Sequence, residues 1–326
     1  MKNNQLHNQI ISKKQVILFI SIAKKTSVYT LLIPFTFLLG SCGNRDDLVR
    51  IQKFTTLASQ ASEAFPKIAN DFYFSCLRAT QHQAFLPERA ESPVVVRITN
   101  EQSCPENIDF GSRLIAANNI LIAYLNSLGK LASNDAVNYS SDIDNLKAEI
   151  SQIPNINSSQ IEGGINIAEM LLNATTNDYR KEKLKDVIVS SNKDLQNFTK
   201  GLQAIVEGAY IDTYLTNESS VINGYYGDYI KNLLEHRTEG DTQALTVLLL
   251  ELDDKWVTAK NTVELRKGFA REYISLLKSI AQDHDAISQT FINGNQPSSK
   301  ELRKMLDHNT KALESFVEKS REVSGK

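Results

Sequence analysis

A chain of 326 residues with 41% hydrophobic content is long enough for one large or two modest domains and apolar enough to pack a core, which excludes disorder throughout. Its net charge of −2 conceals an asymmetry: residues 1–41 hold five lysines and no acid, leaving 31 basic against 38 acidic side chains from Cys42 onward, a net charge of −7. Such an acidic domain does not suit nucleic acid, whose binding rests on Lys and Arg neutralising phosphates.

Two apolar stretches, Val16 to Ala23 and Val28 to Leu39, flank Lys24 and Lys25. Each is shorter than the ~20 residues of a membrane-spanning helix, and two lysines inside one joint span would cost about 2.5 kcal/mol or more each near the bilayer centre. The second stretch instead has the order of a secretory signal: charged residues, an apolar run, then small residues at a cleavage site. That site, Leu39-Gly40-Ser41-Cys42, resembles the lipobox of bacterial lipoproteins, in which a branched apolar residue and two small ones precede the cysteine that is acylated. The resemblance covers these four residues and their context. It implies a signal peptide over 1–41, a lipidated Cys42 with a short tether over 42–47, and a domain over 48–326 held outside the cytoplasm. Gly43, rather than Asp, after the cysteine implies sorting to the periplasmic face of the outer membrane in a cell with two membranes.

Outside the cytoplasm the two remaining cysteines, Cys76 and Cys104, most simply form a disulfide. Closing that loop would stabilise the fold by roughly 3 to 4 kcal/mol in the chain-entropy model. Two cysteines without paired histidines are a poor basis for zinc.

From there the apolar spacing is helical almost everywhere and predicts an all-α fold. Ile51, Phe54, Ala58, Ala61, Phe65, Ile68 and Phe72 alternate by three and four, with Pro66 as an expected break. Residues 86–111, with three prolines and the β-prone run Val94 to Thr99, read as an irregular insertion pinned by the disulfide. A second seam takes Leu114, Ala117, Leu121, Tyr124, Leu128 and Leu131; a short helix carries Ile143, Leu146, Ile150 and Ile153. Ser141 with Asp144, and Ser159 with Glu162, have capping-box spacing and mark two helix starts.

A longer seam, Leu184, Ile188, Ser191, Leu195, Phe198, Leu202, Ile205 and Ala209, is expected to stop at a polar break near Asn217 and resume over Val221 to Leu234. The longest runs from Leu245 through Trp256, Arg266, Tyr273 and His284 to Phe291. As one helix, Asp241 to Ile292 would be roughly 78 Å long at 1.5 Å per residue. Gly294 closes it, and Pro297, Ser298 and Glu301 open a last helix with Leu302, Leu306, Leu313 and Phe316 inward. These elements predict an elongated antiparallel helical bundle with long coiled-coil-like helices and one irregular insertion.

Sequence motifs for chemistry are missing. The chain contains no G-x-x-x-x-G-K, G-x-S-x-G, G-x-G-x-x-G or H-E-x-x-H, and no histidine with Glu three residues before it as a di-metal bundle needs. The best polar constellation is on the longest helix, where Glu251, Asp253 and Asp254 lie one turn from Trp256 and Asp283, His284 and Asp285 lie farther along; the latter three are a metal or general-base candidate because histidine titrates near neutrality, and the alternative role of His284 is a hydrogen bond across the bundle. Arg266, on the same apolar seam, requires a buried partner. A second cluster gathers Tyr210, Tyr214, Tyr225, Tyr226 and Tyr229 beside Gly224 and Gly227, a residue type suited to contact surfaces. The expected function is noncatalytic, without a cofactor: a protein anchored in the membrane by its N-terminal lipid that binds or braces an envelope protein. A small-ligand or metal-binding lipoprotein is the alternative.

Overall fold

The computed structural model describes residues 56–83, 102, 104–132, 143–153, 157–176, 183–236, 242–294 and 299–324, and every regular element among them is a helix. The expected signal peptide, Cys42 and its tether, the run Val94 to Thr99, and Ser141 lie outside these residues.

The first seam folds as a helical stretch over 56–64 followed by α1, Pro66–Gln83, with Phe65 as the joint. Proline has no N–H to donate, so it is tolerated at a first helical position and a new helix starts on it. The Ile68 and Ala69 N–H groups bond the Phe65 carbonyl at 2.9 and 3.2 Å, and the two segments keep one apolar face of Ala58, Ala61, Phe65, Ile68 and Phe72, all buried.

Helix α2, Glu106–Ala132, runs back along α1: Ser62 bonds Asn119, Phe72 meets Phe110, and Cys76 is bridged to Cys104 with their Cα atoms 5.8 Å apart. The expected disulfide is therefore present. The insertion is shorter than 86–111, because Glu106 to Gly111 already belong to α2. Glu106 and Asp109 favour a helix start by facing its positive dipole end, and the Asn107 and Ile108 N–H groups close onto the Cys104 and Pro105 carbonyls. Gly111 allows a tight crossing, since a Cβ there would sit 2.6 Å from the Ala69 carbonyl oxygen.

Helix α3, Ile143–Ile150, leads to α4, Ser158–Thr176. The cap of α4 is Asn157 rather than Ser159. The Gln160 N–H donates to Asn157 Oδ1 at 3.0 Å and the Asn157 N–H donates to Gln160 Oε1 at 3.2 Å, a reciprocal box two residues upstream of the expected Ser159–Glu162 pair.

The next rod contains no break at Asn217. Helix α5, Leu184–Ala204, continues through a π segment, Ile205–Leu215, into α6, Thr216–Glu235. Within the π segment Ile205, Tyr210 and Leu215, like Val206 and Ile211, are buried at intervals of five, so the seam passes to Tyr210 and Ile211 instead of continuing through Ala209. Thr213 and Thr216 hydroxyls bond back to the Gly208 and Ile211 carbonyls, five residues earlier, at 2.9 Å each.

The 51-residue helix α7, Thr242–Ile292, is about 77 Å long at 1.5 Å per residue. It lies antiparallel to the α5–α6 rod, from Asp285 beside Asn192, through Ala281 beside Gln196, to Trp256 beside Asn223. Gly294, at φ 76°, ends it in a conformation glycine adopts freely. Helix α8, Ser299–Val323, returns antiparallel to α7, with Phe269 and Tyr273 against a fully buried Phe316.

Candidate functional site

Arg266 has the buried partner its position demands. At the junction of α1, the π segment, α6 and α7, two guanidinium groups meet two carboxylates. Arg78 grips Glu218 with both edges of its fork, Nε to Oε1 at 2.6 Å and Nη2 to Oε2 at 3.0 Å, and gives Asp71 a further bond at 2.9 Å. Arg266 approaches Glu218 at 3.3 Å and Asp71 at 3.7 Å. Ser75 donates to Glu218 Oε2 at 2.7 Å, and Tyr210 donates to Asp71 Oδ2 at 2.7 Å. The Glu218 side chain is only 1% exposed, so its charge depends on these donors.

Electrostatics follow from that enclosure. Burial opposes the charge on Arg78, but hydrogen bonds to Glu218 and Asp71 outweigh it and hold the guanidinium above its ordinary range. The Tyr210 phenol is also pushed well up, first by burial and then by the Asp71 charge it would have to face as phenolate. Two positive and two negative groups balance and pair with one another across three helices, which makes the arrangement a structural clamp.

The tyrosine cluster divides. Tyr210 and Tyr214 turn inward beside Phe72, at centroid distances of 5.0 and 5.1 Å, with Tyr214 donating to Asn107. Tyr225 and Tyr226 pack on His82 of α1, and Tyr225 lies nearly parallel to Tyr229, which is 39% exposed.

Asp283, His284 and Asp285 likewise diverge, so the three do not converge on one point. His284 is buried among Tyr124, Ser191 and Asn192. The Asn192 amide donates to Asp285 Oδ1 at 2.7 Å, which turns its oxygen toward His284 Nδ1 at 2.9 Å. Nδ1 must then carry the proton, leaving Nε2 to accept the Tyr124 hydroxyl at 2.6 Å. Burial pushes the His284 pKa down to about 4, keeping it neutral, and burial pushes Tyr124 up. Asp283 points to α8 and meets His308 Nδ1 at 2.7 Å; burial raises its pKa and His308 pulls the other way. Ser279 lies 3.2 Å from the same Nδ1. A nucleophilic triad needs serine and acid on opposite imidazole nitrogens, so this trio is not one.

Among the described residues no group of three His, Cys, Asp or Glu side chains is placed to hold a metal, and no described helix is long and apolar enough to cross a membrane. Comparison of the chain with family models, curated proteins and solved structures finds no match.

Sequence reading missed a second apolar seam on the first half of α7. Val247, Leu250 and Val257 are 62%, 66% and 47% exposed and Leu265 is 40% exposed, all on the side away from the inner row of Leu245, Leu249, Leu252 and Trp256. Its signal was plain: Leu245, Val247, Leu248, Leu249, Leu250 and Leu252 go right round a helix, which normally marks burial on every side.

Proposed function

We propose that this protein is a lipid-anchored, extracytoplasmic, noncatalytic helical protein that binds or braces another component of the cell envelope. The lipobox resemblance at Cys42 supports the anchor and the address. The observation that carries the binding role is the contrast between the two surfaces of α7. Its polar core groups, Arg266 and His284, are paired inside the bundle, while its first half offers large apolar side chains to solvent. Large apolar side chains exposed along one side of a helix in a folded domain mark a candidate interaction site.

The test is in-cell crosslinking of the tagged full-length chain, with mass spectrometry of captured partners and of the Cys42 peptide, alongside Cys42→Ala. A diacylated Cys42 and one reproducible envelope partner are the expected result. An unmodified cysteine in a membrane-free protein would refute the anchor, and a lipidated protein without a partner would refute the binding role.

A further inference from the structure

Consider first what α7 presents on its outer side. With 100° between successive residues, Leu245, Leu249, Leu252, Trp256, Ala259 and Val263 form one row, and Val247, Leu250, Asp254, Val257, Asn261 and Leu265 form another about 165° away. The inner row faces α6; the Trp256 indole donates to Asn223 there at 2.9 Å. No described helix covers the outer row. From Gln243 to Thr262 only Leu252 is buried, and from Gly227 to His236 no residue of α6 is buried. Among the described residues the two helices form a single layer in this stretch, with one apolar row covered and one not.

The outer row also carries a definite charge. Asp254 lies within it, exposed, and the bordering Glu251 and Glu264 are each paired with a lysine, Lys255 at 2.6 Å and Lys267 at 2.9 Å. Lys260 lies 5.2 Å over the Trp256 ring on the inner side. The row itself contains no Lys or Arg. A second copy laid on this face would bring another Asp254 and no Lys or Arg from its own row to meet the first, and like-charge juxtaposition is unfavourable. An anionic lipid surface meets the same objection.

We propose that the outer face of α7, from Val247 to Leu265, docks a basic amphipathic helix of a different chain. That helix supplies apolar side chains at alternating three- and four-residue spacing against Val247, Leu250, Val257 and Leu265, and a Lys or Arg opposite Asp254. The row spans about 27 Å, so the occupant needs about five helical turns. Asp254 and Asn261, seven residues apart, occupy equivalent positions, and polar residues in such places fix register at the expense of affinity. This inference deepens the binding role proposed above and rests on it, but not on the lipid.

The experiment is photocrosslinking of the full-length chain in its source cell, with a photoreactive residue placed singly at Val247, Leu250 or Val257 and, for comparison, at Lys311 on α8. Crosslinked peptides are sequenced, and the yield is measured again with Asp254→Lys, a surface change that leaves the inner row intact. Support requires adducts from the α7 positions to a net-positive, helically spaced apolar segment of another protein, reduced at least tenfold by Asp254→Lys. Adducts to a second copy, to lipid or to residues 1–55 of the same chain would overturn the proposal. So would an unchanged yield in Asp254→Lys, or a protein partner reached only from Lys311, in which case the binding role stands and this surface is the wrong one. Absence of any partner from all four positions removes both.

Discussion

Acid should destabilise this protein through His284, and the size of the effect can be worked from the structure. Its imidazole has an ordinary pKa of 6.5 and is held at about 4 by burial. A base whose folded pKa is depressed binds its proton only when unfolded, across the window between 4 and 6.5. Stability is therefore intact above pH 6.5 and falls as pH drops toward 4. Between pH 7 and pH 5 the loss from this one group is about 2 kcal/mol, a window in which most ordinary carboxylates remain ionised. Replacing His284 with Gln preserves an acceptor for Tyr124 and a donor for Asn192 but removes the titration. Urea denaturation at pH 7 and pH 5, followed by circular dichroism with the disulfide intact, reads the difference. The wild type should lose about 2 kcal/mol more than His284→Gln over that range. Equal losses would show that His284 is not a buried neutral imidazole, and the tautomer assigned from Asn192 would fall with it.

Removing one carboxylate from the clamp should cost far more than a surface ion pair. Glu218→Gln leaves Arg78 and Arg266 sharing Asp71 alone, and urea midpoints should report a loss of about 3 to 5 kcal/mol, partly restored by pairing it with Arg266→Met. Gly111→Ala places a methyl group 2.6 Å from the Ala69 carbonyl oxygen, which cannot swing away as a side chain would. The α1–α2 crossing must open, a loss of about 1 to 3 kcal/mol measurable by thermal melting. Reducing Cys76–Cys104 frees a 28-residue separation and should lower stability by about 3.5 kcal/mol, seen as a lower urea midpoint in dithiothreitol.

Apolar periodicity made most of the helices legible: the seams through Ala58 to Phe72, Leu114 to Leu131, Leu184 to Leu202 and Ala270 to Phe291 are buried close to where three- and four-residue spacing placed them, whereas Leu245, Leu249 and Trp256 are only half-buried. Local chemistry was read less well where two signals competed. At Asn157 and Ser159 both residues can cap, and each has a Gln or Glu three residues on to return the bond; the helix starts on the upstream pair, Asn157 with Gln160. At Asn217 a run of polar residues resembled a break. The five-residue recurrence of Ile205, Tyr210 and Leu215 was the stronger signal, but it fits neither of the two usual periods. The clamp was half legible. Arg266 stood out on an apolar seam, whereas Asp71, Ser75 and Arg78 share one face of α1 beside Phe72 and pass as its solvated edge until Glu218 arrives from 140 residues away.

The position of that clamp bears on how the binding surface is held. Apolar rows at regular spacing let two long helices slide by a turn against one another with little change in buried area. A fully enclosed charge does not, because displacement by about 5.4 Å would strand Glu218 or Arg266 without its counterpart. The clamp lies where α6 and α7 leave the many-layered core, with Tyr210 and Leu215 buried; beyond it Tyr225 and Tyr226 of α6 still pack on His82 of α1, and among the described residues no helix covers the outer side of α7. Beyond it, the Trp256 indole bonds Asn223 across the two helices. Registry between α6 and α7 is thus fixed at the last point where four elements meet, and the exposed row from Val247 to Val257 is carried in a set orientation by a helix too thinly covered to fix it alone. The π segment contributes directly. By taking five residues for its turn it brings Tyr210 onto Asp71 and then Glu218 onto Arg78, so one irregularity in the rod supplies both carboxylate contacts.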